Sequence, residues 1–210
     1  MAEPRLILTQ DDIDEGCAHL AAVCPVWARV LPELGPLPLR RQPDGFGAMA
    51  QAIVGQQVSV AAAAAIWGRL QAAGLDRQAT LRDAEDETLR AAGLSRAKAR
   101  YLRGIAAAGL DWEGLRDLPD DRAIADLVAL PGIGVWTAEI YLKFALGRAD
   151  VFAAGDMALQ EAARGLYGLA DRPRAAALRM MAEPWRPWRA VAARGLWAYY
   201  RWAKGREGTL

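Results

Sequence analysis

Carboxylates have to do the chemistry in this chain, because its other reactive side chains are too few. Among 210 residues there is one histidine, His19, and there are two cysteines, Cys17 and Cys24. His19 sits among apolar residues of a predicted first helix, where packing is its ordinary role. Two neighbouring cysteines support neither a disulfide framework nor a zinc site. A histidine-dependent triad and multi-histidine metal hydrolysis have no support either. Two stretches remain. In Asp150-Val-Phe-Ala-Ala-Gly-Asp156 the last aspartate opens a helical pattern. A carboxylate there is an ordinary N-cap, and it is also an anion placed at the favourable end of a helix dipole. In Leu130-Pro131-Gly132-Ile133-Gly134 a helical pattern ends, and at Val135-Trp136-Thr137 another begins. Proline fixes φ, and the two glycines permit positive φ and close backbone approach. The N–H groups of Ile133 through Trp136 are then expected to face outward at a helix N-terminus, an anion site suited to phosphate. The same turn also serves as a plain helix–helix connection.

The elements that must position these stretches are helical. Alanine dominates a hydrophobic fraction of 53% and β-branched runs are nearly absent, which favours helix over sheet. Thr9-Gln-Asp-Asp12 predicts a capping box opening a helix to about Val23. Pro32, Pro36, Pro38 and Pro43 predict an extended connector over 32–43. Phe46, Met49, Ala50, Ile53 and Val54 recur at helical spacing, and an alanine-rich helix follows over about Ser59–Ala72, its small side chains permitting close packing. Asp83 is expected to cap a short helix ending at Gly93. Ser95 is expected to start another, with Arg96, Lys98, Arg100 and Arg103 on a basic face that is ordinarily solvated surface. Helices are further predicted over 120–129, 135–146, Asp156 to about Leu166, 173–182 and Pro187–Trp202, about ten in all. The whole reads as all-α.

Net charge is only +1, yet residues 161–210 carry 10 basic and 4 acidic side chains, against 4 and 9 in 111–160. A basic final quarter suits a polyanion. Arginine supplies 23 of 26 cations. The longest apolar run, Val60–Trp67, is too short to span a bilayer, and the N-terminus has no signal pattern. A soluble, cytoplasmic protein without a membrane partner is expected.

The run L-P-G-I-G-V-W-T-A, followed by the loop ending in Asp156, resembles the helix–hairpin–helix DNA glycosylase superfamily, and within it the branch that repairs alkylated bases. The resemblance extends over roughly Phe46 to Trp202. It implies the helix–hairpin–helix DNA glycosylase fold, two helical subdomains with the active-site cleft between them. One would span 45–148 and end in the hairpin at about 120–147; the other would join 1–44 to 149–210. The β-rich N-terminal domain of longer bacterial relatives is not expected.

The resemblance also implies roles. Asp156 would be the catalytic carboxylate, stabilising an oxocarbenium-like sugar as the glycosidic bond breaks. A lone carboxylate suffices when the leaving base is already cationic, as N-alkylated purines are. Trp136 stands where strand-cutting relatives carry a Schiff-base lysine, so a monofunctional enzyme is implied. It would line the base pocket, with Trp197 as the second wall and Gln56 as a further substrate contact; ordinary helix packing is the other reading of Trp136. Trp185, Trp188 and Trp202 read as packing. Gly55-Gln56-Gln57-Val58-Ser59 matches the family's G-Q-x-V-S junction, which makes Gln57 the wedge that fills the gap left by a flipped base. An exposed turn residue is its other reading. Gly132, Gly134, Val135 and Lys98 would contact DNA. Backbone carbonyls of Val128, Leu130 and Ile133 would hold Na+ or K+. No cofactor is required, and the four cysteines of an iron–sulfur cluster are lacking. Ile140 departs from relatives with a pocket tyrosine, which leaves the damaged-base spectrum open.

The expected protein is therefore a monomeric, monofunctional glycosylase of base excision repair that removes alkylated purines, 3-methyladenine first, from double-stranded DNA. The alternatives are a glycosylase/lyase for oxidised bases and a non-catalytic helix–hairpin–helix DNA-binding module.

Overall fold

The computed structural model describes residues 4–207. Twelve α-helices occupy them: α1 (Gln10–Val23), α2 (Pro25–Leu34), α3 (Phe46–Gly55), α4 (Val60–Ala72), α5 (Gln78–Arg82), α6 (Asp86–Ala91), α7 (Arg96–Ala107), α8 (Asp120–Val128), α9 (Val135–Phe144), α10 (Met157–Tyr167), α11 (Ala175–Met181) and α12 (Arg189–Glu207). Short 3-10 turns lie at Gly114–Arg116 and Glu183–Trp185. A lone antiparallel bridge between Leu6 and Arg148 is the extent of β-pairing among the described residues. Contacts divide the chain into a terminal unit, up to Arg41 and again from Leu142, and a central unit, Gln42–Tyr141. The division falls inside α9, whereas the resemblance implied a boundary at about 148.

In the terminal unit, α1 starts at the expected capping box. Thr9 Oγ1 accepts from the Asp12 N–H at 3.4 Å, and Asp12 Oδ2 accepts from the Thr9 N–H at 2.8 Å. Helix α2 lies partly where a proline-rich connector was predicted, so the extended segment begins only at Gly35. Pro25 sits at the first helical position, where a missing N–H costs nothing, and Pro32 falls in the last turns. Trp27 and Val30 of α2 are buried. Trp27 meets Trp185 edge-on, with ring centroids 5.6 Å apart, and Phe152 meets Trp185 likewise at 5.8 Å. Helix α12 approaches Trp27 so closely at Gly195 that a Cβ there would lie 2.7 Å from the indole. The N-terminal strand-like segment is clipped to the loop after α9, where the Ile7 N–H donates to Gly147 O at 2.6 Å and the Ala149 N–H to Arg5 O at 3.0 Å.

In the central unit, Phe46, Met49, Ala50, Ile53 and Val54 of α3 are all buried, as their spacing predicts. Ser59 and Ser95 cap α4 and α7 by accepting from Ala62 N and Lys98 N. Two expectations are corrected. Asp83 ends α5 and pairs with its neighbour Arg82 instead of opening α6, whose N-cap is Glu85. Most alanines of α4 do not mediate close packing: Ala61, Ala62, Ala64 and Ala65 are exposed, while half-buried Ala63 faces Gly55 of α3 and Ile66 and Leu70 form the buried stripe. Alanine there reflects helix propensity, not burial.

Candidate nucleic-acid interface and carboxylate site

The hairpin turn between α8 and α9 is shaped from outside itself. Gly132 takes φ +80°, and a Cβ on it would fall 2.5 Å from the ring of Tyr101 on α7. On the same helix, a Cβ at Gly104 would fall 2.6 Å from Pro131. Helix α7 is thus the seat of the turn, and only glycine fits at either contact. Gln56, at the C-terminus of α3, donates its side-chain amide to Gly132 O at 3.3 Å. The resemblance made Gln56 a substrate contact; the structure shows it bracing the turn.

Gly134 departs from expectation. It has no positive φ, and a Cβ there would meet nothing within 4 Å. One positive-φ glycine is enough to reverse the chain, and at Gly132 the Tyr101 ring also leaves no room for a side chain. The Ile133 N–H is also not available, since it donates to Leu130 O at 3.3 Å. That leaves the N–H groups of Gly134 and Val135 at the start of α9, to which the helix itself supplies no carbonyl. Gly134 and Val135 are exposed, Val135 by 47% and Trp136 by 46%. Ile133 and Leu130 are buried and anchor the turn below.

Between α3 and α4, Gln57 is exposed and adopts φ +57°, a left-handed conformation costing roughly 1–2 kcal/mol outside glycine. The backbone holds this side chain outward. Lys98, expected on phosphate, donates its ammonium to Val54 O at 2.7 Å. It caps the last turn of α3, and partial burial pulls its pKa below the usual lysine value. On α9, Ile140 is half-buried, and the neighbouring Tyr141 hydroxyl accepts from the Gly45 N–H at 2.7 Å.

The terminal unit holds the carboxylate. Asp156 Oδ1 accepts from the N–H groups of Ala158 at 2.8 Å and Leu159 at 3.0 Å. It is the N-cap of α10 and half-buried. The preceding loop is strapped down. Gln160 donates to Ala154 O at 2.9 Å, and Asp150 takes Arg189 at 2.8 and 3.0 Å and also pairs with Arg186. Trp197, half-buried on α12, stacks on Phe144 with centroids 5.8 Å apart. The Lys143 ammonium lies 4.5 Å from the Trp197 ring centre, and Lys143 is fully buried. Sequence reasoning missed Lys143. The available signal was its identity, one of three lysines in a chain that otherwise uses arginine. Trp185 and Trp188 are buried core, and Trp202 packs on Tyr199.

Among the described residues, no cluster of three or more His, Cys, Asp or Glu could hold a metal, and no helix is long and apolar enough to cross a membrane. A glycine turn between two helices, braced from α3 and α7 and followed by a carboxylate that caps a later helix, is the arrangement that the resemblance to the helix–hairpin–helix class implies. The chain belongs to the HhH-GPD superfamily of base excision DNA repair proteins, whose family model matches residues 50–188 and so includes both the hairpin and Asp156. It is 27% identical over 191 residues to the alkylbase DNA glycosidase-like protein of Schizosaccharomyces pombe, covering 85% of this chain and 90% of that one. A DNA-3-methyladenine glycosidase structure from Bacillus halodurans superposes with a TM-score of 0.78 at 34% identity, covering 89% of each chain. The S. pombe 3-methyladenine DNA glycosylase in complex with abasic DNA gives a TM-score of 0.73 at 29% identity, covering 87% of this chain and 95% of the other.

Proposed function

We propose that the protein is a monofunctional DNA glycosylase of base excision repair that hydrolyses the N-glycosidic bond of alkylated purines, 3-methyladenine first. The observation that carries this is Asp156, a carboxylate fixed by two N–H groups at the start of α10 within the span of the family match. As the C1′–N bond breaks, its electrons leave on the alkylated base, which departs neutral. Positive charge then builds on the sugar, and a fixed carboxylate stabilises it. Water adds its oxygen to C1′ and gives up a proton, for which Asp156 is the acceptor. The substrate class rests on the relatives, two of which are named as 3-methyladenine glycosylases.

In this reading Trp136 and Trp197 are the aromatic walls on which a cationic, electron-poor base stacks. The turn at Gly132–Val135 takes a backbone phosphate. Gln57 is the wedge, and its left-handed backbone suits that task by holding the side chain out. The carbonyls of Val128, Leu130 and Ile133 are neutral oxygen donors of the kind that suit Na+ or K+. Leu130 O keeps one lone pair after accepting from Ile133. Double-stranded DNA is the partner, the protein acts as a monomer inside the cell, and no organic cofactor is needed.

The test is release of 3-methyladenine from methylated duplex DNA, followed by chromatography. Free base together with intact, alkali-labile strands is expected. A covalent adduct trapped by borohydride would instead assign a glycosylase/lyase. DNA binding without base release would leave only a docking module.

A further inference from the structure

The side of α7 that seats the hairpin continues beyond it as a row of arginines. Arg96, Arg100 and Gly104 follow one another at four-residue spacing and so share one side of the helix. Gly104 is the residue that packs against Pro131. The row of arginines therefore runs up to the hairpin turn within the same unit. Beside it, between α6 and α7, lies a cavity of about 470 Å³ lined by Asp86, Arg90, Arg96, Ala99, Arg100 and Arg103. Arg103 pairs with Asp86, the one carboxylate there, and also donates to Ala84 O at 3.4 Å. Among the described residues the other three guanidiniums have no acidic partner: Arg90 donates to Asp86 O at 3.3 Å, and Arg100 lies 5.5 Å from the centre of the Tyr101 ring. All three are exposed. Three exposed guanidiniums around one concavity make a locally positive surface that attracts anions.

We propose that this cavity is a second phosphate-binding station for duplex DNA, continuing the track that starts at the hairpin. The inference rests on the DNA-binding reading above and extends it. The distance from Arg96 to Gly104 is roughly 12 Å of helix, which matches the axial rise of three to four nucleotides of one strand. Guanidiniums present paired donors that suit phosphate oxygens, and they stay charged at any working pH. The hairpin holds phosphate by neutral N–H groups and releases few counterions. The arginine station holds it by charge, so it should dominate the salt dependence of binding.

The test measures duplex affinity by anisotropy across salt for wild type, for Arg100→Gln, and for the triple variant Arg90→Gln/Arg96→Gln/Arg100→Gln. Each phosphate neutralised contributes about 0.9 to the slope of log K against log salt, so the triple variant should lose about 2.7. Between about 50 and 200 mM salt, wild type should then lose roughly 40-fold more affinity than the triple variant, with Arg100→Gln losing about one third of the slope difference. Base release at saturating DNA should be unchanged, because the cavity touches no residue given a role in bond cleavage. Unchanged slopes in variants that still release base would overturn this inference and leave the glycosylase reading standing. Wild type that neither binds duplex nor releases base would overturn both. Titration with inorganic pyrophosphate separates a free polyphosphate from DNA. Saturable pyrophosphate binding abolished by the triple substitution, with the DNA slope unmoved, would give the cavity to a small ligand and overturn the DNA track.

Discussion

Helices α9 and α10 each begin behind a tight turn, and they treat the same electrostatic opening in opposite ways. Helix α10 closes its own N-terminus: Asp156 fills it with two hydrogen bonds. Helix α9 leaves its first turn exposed at Gly134 and Val135, while Gln56, Tyr101 and Gly104 brace the turn from behind. A helix N-terminus is a generic attractor of negative charge. What differs is where the charge comes from. In α10 it is carried by the protein and can be aimed at a reacting sugar. In α9, in the reading proposed above, it arrives with the phosphate of the ligand.

The largest break in this contrast comes from removing the internal charge. Asp156→Asn keeps a competent N-cap, so thermal stability should move by less than about 1 kcal/mol. Base release should fall by about three decades or more, near 4 kcal/mol of barrier, with duplex affinity retained. Excision assayed in single turnover decides this, and a near-normal rate would strip Asp156 of its role.

The two glycines of the hairpin sharpen the other side. Gly132→Ala forces a side chain onto φ +80° and into Tyr101, at a cost of about 2–4 kcal/mol in urea unfolding. Gly134→Asp should leave stability nearly unchanged, because space is open there. It should weaken duplex binding about tenfold or more by placing a carboxylate where phosphate docks. If both variants unfold alike, or if Gly134→Asp binds as wild type, the open helix end is only a connection.

The smallest effect concerns the anchor of α9 in its unit. Burial raises the Tyr141 hydroxyl from an ordinary pKa of 10.0 to about 12. A raised folded-state pKa means that the neutral form is favoured on folding. Its contribution is fully present below pH 10 and fades as pH rises through about 12. Tyr141→Phe strands the Gly45 N–H, costing about 1 kcal/mol at neutral pH. It should also flatten the loss of stability over that alkaline window, as followed by circular dichroism. A wild-type-like alkaline profile in the variant would place the titration elsewhere.

Local devices were legible in the sequence because they are written in a few adjacent residues. The Thr9 box, the Ser59 and Ser95 caps and the buried face of α3 follow from spacing alone. Helix α2 was hidden because Pro32 read as the start of an extended connector, while Pro25, at the first helical position where proline is welcome, was not used as a start signal. The hairpin was visible as a motif. Which glycine would take positive φ was not, and the Tyr101 ring that excludes a side chain at Gly132 comes from 31 positions away in sequence. Lys98 read as part of a cationic face, yet its place on the helix turns it toward Val54 and away from the arginine row. For Lys143, no pattern of neighbouring residues announces complete burial beneath a tryptophan.

Gln57 carries a consequence for how this protein would respond to selection. Its backbone occupies a region that glycine enters freely, so Gln57→Gly removes a conformational penalty of about 1 kcal/mol and should raise the melting temperature. A laboratory screen for thermal robustness alone would therefore enrich that change. In the wedge reading proposed above, a screen for survival under DNA alkylation would reject it, because the stabilised protein lacks the side chain that fills the gap left by a flipped base. Position 57 is where fitness for heat and fitness for repair point in opposite directions.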